Sequence, residues 1–477
     1  MREVREYGIV AVALVVVLAA AGIAVAGPAA SAASDAGAGG DGSAAASTDA
    51  GRQVDFDPSV ARELDFEAPT EDGVARVGDT EYDTLRAALD AAEPGDVVRV
   101  EGRFDETVTV TTPNVTIRGA GPREALVRGD GEGDVLTIDA PDVTVRGLWV
   151  RNSGWQTSEN DAAIWVDGEG VTVRDNRVTD MTFGVWVDGT EDVRVLDNTI
   201  VGRESVESLT DRGNGIQLYR ATGAVVRDNR ITDVRDGVYY SWASEVVATG
   251  NTMWDLRYGV HYMYSDHCVL RNNTAFDNDA GYALMISEYL RIENNTAVNN
   301  TGQSGHGIMV KSIDHSVLRG NEVVGNGQGL FVYNSLNNTI THNLVMENRV
   351  GVHLSAGSVR ERVHHNSFVR NDRPVKAVLG EQVAWNGTDA GNYWSAATTA
   401  DTDQDGVSET RYQPAGLVEH LVAQHPEASV FTDSPAFAVV RTAERSVPVI
   451  EAPGVVDQHP LVRPPHDNWR RYYDDDD

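Results

Sequence analysis

The sequence contains one cysteine and only two lysines. The single cysteine, Cys268, excludes a disulfide framework within the chain, and its place in an apolar stretch favours a small buried side chain over a reactive thiol. Apart from Lys311 and Lys376 the basic residues are arginines, and the formal net charge is −33. This charge argues against nucleic-acid binding, which needs a basic face. It suggests a surface adapted to high salt, the alternative being an ordinary acidic soluble protein.

The chain has little helical patterning. Only residues 84–93 form a clear amphipathic helix pattern, with Leu85, Ala88 and Leu89 on one side and Pro94 directly after it. A helix here would cap the open end of a repeat domain.

A repeat of asparagines dominates the rest of the chain. Asn229, Asn251, Asn273 and Asn295 recur every 22 residues, each after a short β-branched stretch. The series begins with Asn176 and Asn198 and continues with Asn321, Asn343 and Asn366. One short strand pattern per unit at this period predicts an all-β fold, a right-handed parallel β-helix with coils of about 22 residues. Each asparagine should hydrogen-bond to those above and below it.

A second repeat fixes how the coils align. The repeating glycines are Gly215, Gly237, Gly259, Gly281, Gly307, Gly329 and Gly351. A short strand follows each one. Residues one and three after the glycine are nearly all aliphatic or tyrosine, so they should point into the helix, and residues two and four should point outward.

The composition divides the chain into four segments. Residues 1–27 carry an unbroken apolar run and a small-x-small ending, which indicates an export signal peptide or an uncleaved membrane anchor. Residues 28–72 are an Ala/Gly/Ser/Asp-rich linker. Residues 73–385 form the β-helix. Residues 386–477 are a C-terminal segment with a possible calcium loop, and residues 413–477 within it are expected to be an extended tail that packs on the last coil or on a partner.

Methionine and histidine converge on the outward face. Met263 and Met285 should be direct neighbours on adjacent strands, with His261 beside Met263 and Met309 close to Met285. His306 could reach the same area. Thioethers and imidazole form a soft ligand set suited to Cu(I). The alternative is that a loop or the tail covers these methionines as ordinary core.

A second metal site is predicted after the coils. Asp401, Asp403 and Asp405 alternate before Gly406, as at the start of a calcium loop, and Glu409 could contribute. The loop has no glutamate at the twelfth position, so an acidic turn is the alternative.

Two other functions remain open. Asp233, Asp255 and Asp277 recur every 22 residues; paired carboxylates in a cleft would suit a polysaccharide lyase or glycoside hydrolase, although a solvated turn would explain them too. A non-catalytic secreted repeat protein could instead carry glycans. Its sequons would be Asn114, Asn272, Asn294, Asn299, Asn337 and Asn386.

Several stretches resemble the NosD family. They are RYGVHYMYS (257–265), GYALMIS (281–287), GIMVKS (307–312), RGNGIQLY (212–219), RDGVYYS (235–241) and GNYWS followed by D-x-D-x-D-G. The resemblance spans roughly residues 73–465. It implies an exported, non-enzymatic β-helix protein that handles copper in the maturation of nitrous oxide reductase. The implied partners are an ABC transporter (ATPase and permease), a copper-chaperone lipoprotein and the reductase, with the tail contacting the permease. It also supports copper at His261, Met263 and Met285.

Overall fold

The strands wind into a parallel β-solenoid of about 13 turns with about 22 residues per turn, which confirms the predicted parallel β-helix. This computed structural model describes Val54, Phe56 and residues 67–203, 205–355, 357–377, 379–432, 434–446, 453–466 and 469–473. The predicted export signal lies outside these residues. Each regular turn gives one strand to each of three sheets, which we name the front, second and third sheets in chain order.

The front sheet has twelve parallel strands. They are Val108–Val110, Leu136–Ile138, Ala162–Val166, Phe183–Asp188, Ile216–Tyr219, Asp236–Ser241, Tyr258–Met263, Ala280–Glu288, His306–Asp314, Gln328–Tyr333, Val350–Leu354 and Arg373–Ala377. Its longest strands are in the coils that carry Met285 and Met309.

The second and third sheets are joined at their first coil through the long strand Val97–Asp105. The other strands of the second sheet are Val74–Val77, Thr80–Tyr82, Thr116–Gly119, Thr144–Arg146, Thr172–Arg174, Arg194–Leu196, Val225–Arg227, Val247–Thr249, Val269–Arg271, Arg291–Glu293, Val317–Arg319, Thr339–Thr341 and Arg362–His364. Those of the third sheet are Ala125–Arg128, Trp149–Arg151, Arg177–Thr179, Thr199–Val201, Arg230–Thr232, Thr252–Trp254, Thr274–Phe276, Thr296–Val298, Glu322–Val324, Leu344–Met346, Ser367–Val369 and Tyr393–Trp394.

Helix α1 (Leu85–Ala91) lies at the start of the solenoid. The Thr84 hydroxyl caps it by accepting a hydrogen bond from the Ala87 backbone N–H. Leu85, Ala88 and Leu89 are buried against the first strands.

The asparagine repeat forms a continuous ladder of side chains inside the solenoid. Each Oδ1 accepts two hydrogen bonds from the preceding asparagine, one from its backbone N–H and one from its Nδ2, as Asn273 does from Asn251 at 3.0 and 2.8 Å. Because every rung is nearly fully buried, these bonds satisfy polar groups that would otherwise be unpaired. The predicted stacking of asparagines is therefore present, and it extends one rung beyond Asn366, to Asn392.

A second ladder was not predicted. Asn278, Asn300, Asn326, Asn348 and Asn371 also bond side chain to side chain, at 2.9–3.1 Å. The spacings of 22, 26, 22 and 23 residues equal those of the first ladder from Asn273 to Asn366, and a short strand of the third sheet precedes each residue. The series is shorter because the coils before Asn278 have Leu256 and Val234 at this corner. The two ladders together fix two corners of each coil in this region.

The repeated glycines are required by a close backbone approach. A Cβ on Gly259 would lie 2.7 Å from the Gly281 carbonyl oxygen, and one on Gly281 would lie 2.7 Å from that of Gly307. Contacts this short do not occur, so only glycine fits.

The C-terminal segment differs from the predicted extended tail. Its apolar patches form helix α2 (Leu417–Gln424) and helix α3 (Pro435–Ser446), joined by the Glu419–Arg441 ion pair at 2.8 Å. A small sheet contains Gln382–Ala384, Tyr412–Ala415 and Gly454–Asp457. Short 3₁₀ helices are Leu209–Asp211, Pro426–Phe431 and Trp469–Tyr472. The Asp457 carboxylate accepts from the backbone N–H of Asn392 at 2.7 Å and so ends the first ladder.

Both ends of the described chain pack on the outer face of the third sheet. Val54, from the predicted linker, exchanges backbone hydrogen bonds with the side chain of Asn299, and Phe56 packs on Phe276. Tyr472 covers the same apolar stripe from the C-terminal side and bonds to Glu322.

We predict that Asn273→Ala destabilises the solenoid by about 3 kcal/mol. The change leaves a backbone N–H and a side-chain amide of Asn251 buried without their acceptor, and each loss costs roughly 1–3 kcal/mol. Chemical denaturation measures the effect. The control is Asn272→Gly at the exposed neighbour, where a φ of +54° suits glycine; a similar loss there would contradict the ladder's role.

Candidate metal centre

Three columns of side chains run along the outer face of the front sheet, set by the strand pairing. The first column, one residue before the glycine, contains Asp236, Tyr258, Ala280, His306 and Gln328. The second, two residues after it, contains Tyr239, His261, Ala283, Met309, Phe331, His353 and Lys376. The third, four residues after it, contains Ser241, Met263, Met285, Lys311 and Tyr333.

The two central methionines are direct partners. Met263 pairs with Met285 across adjacent strands, so their side chains start about 4.8 Å apart on the same face. Both are partly exposed, so no described segment covers them as core. Met309 lies one strand further along, in the second column, and is 7% exposed.

His261 is held by a buried carboxylate. Its Nδ1 lies 3.0 Å from Oδ2 of Asp236, which is fully buried and also receives two hydrogen bonds from Arg257, at 2.6 and 2.9 Å. Because an ionised carboxylate only accepts hydrogen bonds, Nδ1 carries the proton and the lone pair is on Nε2. That Nε2 atom is buried and has no hydrogen-bond partner.

The charge of Asp236 is stabilised by its partners. Burial alone would raise the pKa of this carboxyl, but the hydrogen bonds and charges of His261 and Arg257 outweigh burial and hold it below its ordinary value. A carboxylate that orients a histidine in this way is typical of metal sites, where it fixes the tautomer and raises the basicity of the ligand nitrogen.

His306 is the second imidazole of this face. It stacks on Phe331 with ring centroids 4.8 Å apart, and its Nδ1 is buried without a partner. Burial lowers the pKa of His306 to about 4. The ring is therefore neutral at physiological pH, which is the form that binds metals.

Aromatic side chains cover part of the outward face, so the predicted donor side chains are less exposed to solvent than their outward positions in the sequence suggested. Tyr239 and Tyr258 contact the His261 ring edge to face, at 4.6 and 5.1 Å between centroids. The predicted donors His261, Met309 and His306 are therefore on the outer face but nearly buried. The donor set fits a soft ion: two orphaned imidazole nitrogens lie in the same group of coils as three thioethers.

Sequence reasoning missed Asp236 and Arg257. Asp236 occupies a first-column position where the next two coils have Tyr258 and Ala280. A single acidic residue at this repeat position is the sequence feature that could have revealed it. Arg257 reaches it from the next coil.

The predicted calcium loop brings its carboxylates together. Ligand oxygens of Asp401, Asp403 and Asp405 all lie within 4.8 Å of one another. Glu409 is not in this group, and its carboxylate accepts a hydrogen bond from the Thr402 backbone N–H at 3.0 Å. The calcium interpretation stays a prediction, and Glu409 is not placed to complete such a site.

The aspartates considered for carbohydrate cleavage line a cleft of about 640 Å³. Arg212, from the loop before the coil of Gly215, lies 3.6 Å from Asp233. Burial, then the neighbouring carboxylate, raises the pKa of Asp255 and of Asp277. The cleft is separate from the methionine pair.

Cys268 is fully buried, and burial raises the pKa of its thiol to about 12. It is therefore an inert core residue. Within the part of the chain described, no helix is long and apolar enough to cross a membrane.

Comparison with known proteins gives consistent matches. A family model described as "Periplasmic copper-binding protein (NosD)" matches residues 196–399, and one described as "Protein of unknown function (DUF1565)" matches residues 102–238. A "Probable ABC transporter binding protein NosD" from Pseudomonas aeruginosa is 46% identical over 307 residues, covering 61% of this chain and 71% of that protein. One from Stutzerimonas stutzeri is 44% identical over 308 residues, covering 61% and 70%.

Among solved structures, a mannuronic acid specific polysaccharide family 6 lyase from human gut microbiota is similar with a TM-score of 0.46 at 15% identity, over 65% of this chain and 84% of that one. The curated relatives, by contrast, are named as binding proteins. Because the chain covers at least 70% of those relatives at 44% identity or more, and the copper-binding family model spans the coils with Met263, Met285 and Met309, this protein belongs to the NosD family.

Proposed function

We propose that this protein is an exported, non-enzymatic copper-handling β-helix that acts in the maturation of the copper centres of nitrous oxide reductase. The observation that carries the proposal is the pairing of Met263 with Met285 beside an imidazole whose free nitrogen is buried and unpaired. The names of the family model and of the relatives support a copper cargo and an ABC transporter as partner. A copper-chaperone lipoprotein would supply the ion.

Cu(I) is the cargo that the donors favour. Thioether sulfur binds Cu(I) well and binds hard cations poorly. Met263 and Met285 are partly exposed, so a donor protein could reach them first. His261, Met309 and His306 are more deeply placed and could hold the ion once it has entered the outer face. Such an order would let one surface both receive and release copper.

The first test is the double variant Met263→Leu/Met285→Leu, measured by competition for Cu(I) with a chromophoric chelator. Loss of direct ligands should weaken binding by more than the roughly 10–100-fold typical of residues that only orient a ligand. Met346→Leu, on the third sheet, is the matched control. Unchanged Cu(I) binding in the double variant would contradict a copper site on the outer face of the front sheet.

The second test addresses Asp236 as a positioning residue. Asp236→Asn removes the charge that orients His261 and should weaken Cu(I) binding by roughly 10–100-fold. If Asp236 acts through His261, the change should have little further effect in a His261→Gln background. An equal loss in both backgrounds would show that Asp236 only supports the fold.

The third test uses pH. The pKa of His306 is about 4 in the folded protein and about 6.5 when unfolded, so the unfolded chain binds the proton first. Stability linked to His306 is present above about pH 6.5 and falls as the pH drops toward 4. The thermal midpoint of the wild type should therefore decrease more steeply in this window than that of His306→Gln. His315→Asn, at an exposed histidine, should behave like the wild type; identical slopes for wild type and His306→Gln would contradict the buried neutral imidazole.

A further inference from the structure

Several basic side chains line a cleft where the last front-sheet strand meets the C-terminal helices. A cavity of about 810 Å³ lies between the strand Arg373–Ala377 and helices α2 and α3. A neighbouring cavity of about 420 Å³ shares Asp372, Arg373 and Lys376 with it and adds Arg349. Lys376 is one of the two lysines in a chain of net charge −33.

The cations of this cleft lack compensating carboxylates. Arg349, Arg373 and Lys376 form no ion pair within 4 Å among the described residues. The one carboxylate shared by both cavities is Asp372, which is exposed.

The other acid of the larger cavity is already paired. Glu419 accepts hydrogen bonds from Arg441 and from the Gly416 backbone. Its charge is therefore already paired with that of Arg441 and does not balance Arg373 and Lys376.

Burial and the neighbouring cations together lower the pKa of two basic groups here. Burial, followed by repulsion from Arg373 and Arg349, lowers the pKa of Lys376. Burial, followed by Lys376, His306 and Arg373, lowers the pKa of His353 to about 4. An uncompensated cluster of this kind is destabilising unless an anion binds to it.

A buried amide in the same wall has no partner. Gln413 lines the larger cavity and is 9% exposed, and neither its Nε2 nor its Oε1 has a hydrogen-bond partner. An unpaired buried amide costs stability, so its presence in the cavity that Arg373 and Lys376 line indicates a polar ligand that uses it.

We propose that this cleft binds an oxyanion group of the phosphate or sulfate kind. Arg373 and Arg349 would supply the planar guanidinium donors that match such oxygens, Lys376 a third positive donor and Gln413 the amide N–H. Lys376 lies in the second column, five strands from His261 and so about 24 Å away along the same face. The site is thus independent of the copper donors.

The test is a titration of the full chain with inorganic phosphate and with sulfate, at ionic strength held constant with chloride and with a copper chelator present. Phosphate should raise the thermal midpoint in a saturable way that chloride does not. Lys376→Met should weaken phosphate binding about tenfold or more, since it removes a charged hydrogen bond. Lys311→Met, at the other lysine on the same sheet face but outside the cleft, is the control and should bind like the wild type.

Gln413→Leu separates binding from folding. Removing two unpaired buried polar atoms should raise the thermal midpoint of the ligand-free protein, while phosphate affinity falls. If Gln413→Leu raises the thermal midpoint but leaves the phosphate affinity unchanged, the Gln413 amide does not take part in the site.

A second arm distinguishes the source of the oxyanion. Vesicles of phosphatidylglycerol in phosphatidylcholine test a lipid headgroup by co-sedimentation, again with both lysine variants. Binding that depends on Lys376 in either arm supports the oxyanion site and identifies its source. If Lys376→Met and Lys311→Met behave alike in both arms, or if phosphate acts no differently from chloride, the proposal is overturned.

Discussion

The asparagine ladders determine where the outward side chains of the front sheet lie. Each Oδ1 receives both a backbone and a side-chain N–H of the coil before it, as Asn273 does from Asn251. A coil displaced by one residue would leave both donors unpaired and would turn its inward residues outward. The columns on the front sheet exist because this displacement is so costly. Met263 and Met285 are 22 residues apart, so the register that the ladder fixes places them side by side. No attraction between the two side chains is needed for this.

Periodicity also explains what could be predicted from the sequence. The coil length, the inward and outward positions and the adjacency of Met263 and Met285 all follow from two spacings. The second ladder, beginning at Asn278, follows the same spacing but was missed because the earlier coils have Val234 and Leu256 at that corner, so its series of asparagines is shorter. Asp236 could not be recognised because its importance comes from Arg257 and His261, two side chains of the next coil. Helices α2 and α3 lie after the end of the repeat, so the repeat spacing could not predict them.

The second column of the front sheet runs from the proposed copper site to the proposed oxyanion site. It passes from His261 through Met309 and His353 to Lys376, and its chemistry changes from soft neutral donors to a positive charge. His353 lies between the two regions, and its Nδ1 bonds Gln328 at 2.8 Å. Because burial and the nearby cations lower its pKa, His353 does not extend the positive charge toward the methionines at neutral pH.

Unpaired buried polar atoms need separate explanations according to where they lie. The indole N–H of Trp385 is unpaired within the tightly packed end of the solenoid, and its aromatic contacts with Phe368 and Trp394 explain why the residue is kept. The His261 ring also packs on Tyr239 and Tyr258, but these contacts leave its Nε2 unpaired, and the amide of Gln413 is unpaired as well. Each belongs to a face or a cavity where further donors or charges converge, Met263 for the first and Lys376 for the second. A fold selected only for stability would gain by replacing Gln413 with an apolar residue. His261 differs because its Nδ1 also pairs with the buried Asp236 carboxylate, so only its unpaired Nε2 is left to be explained by a bound ion.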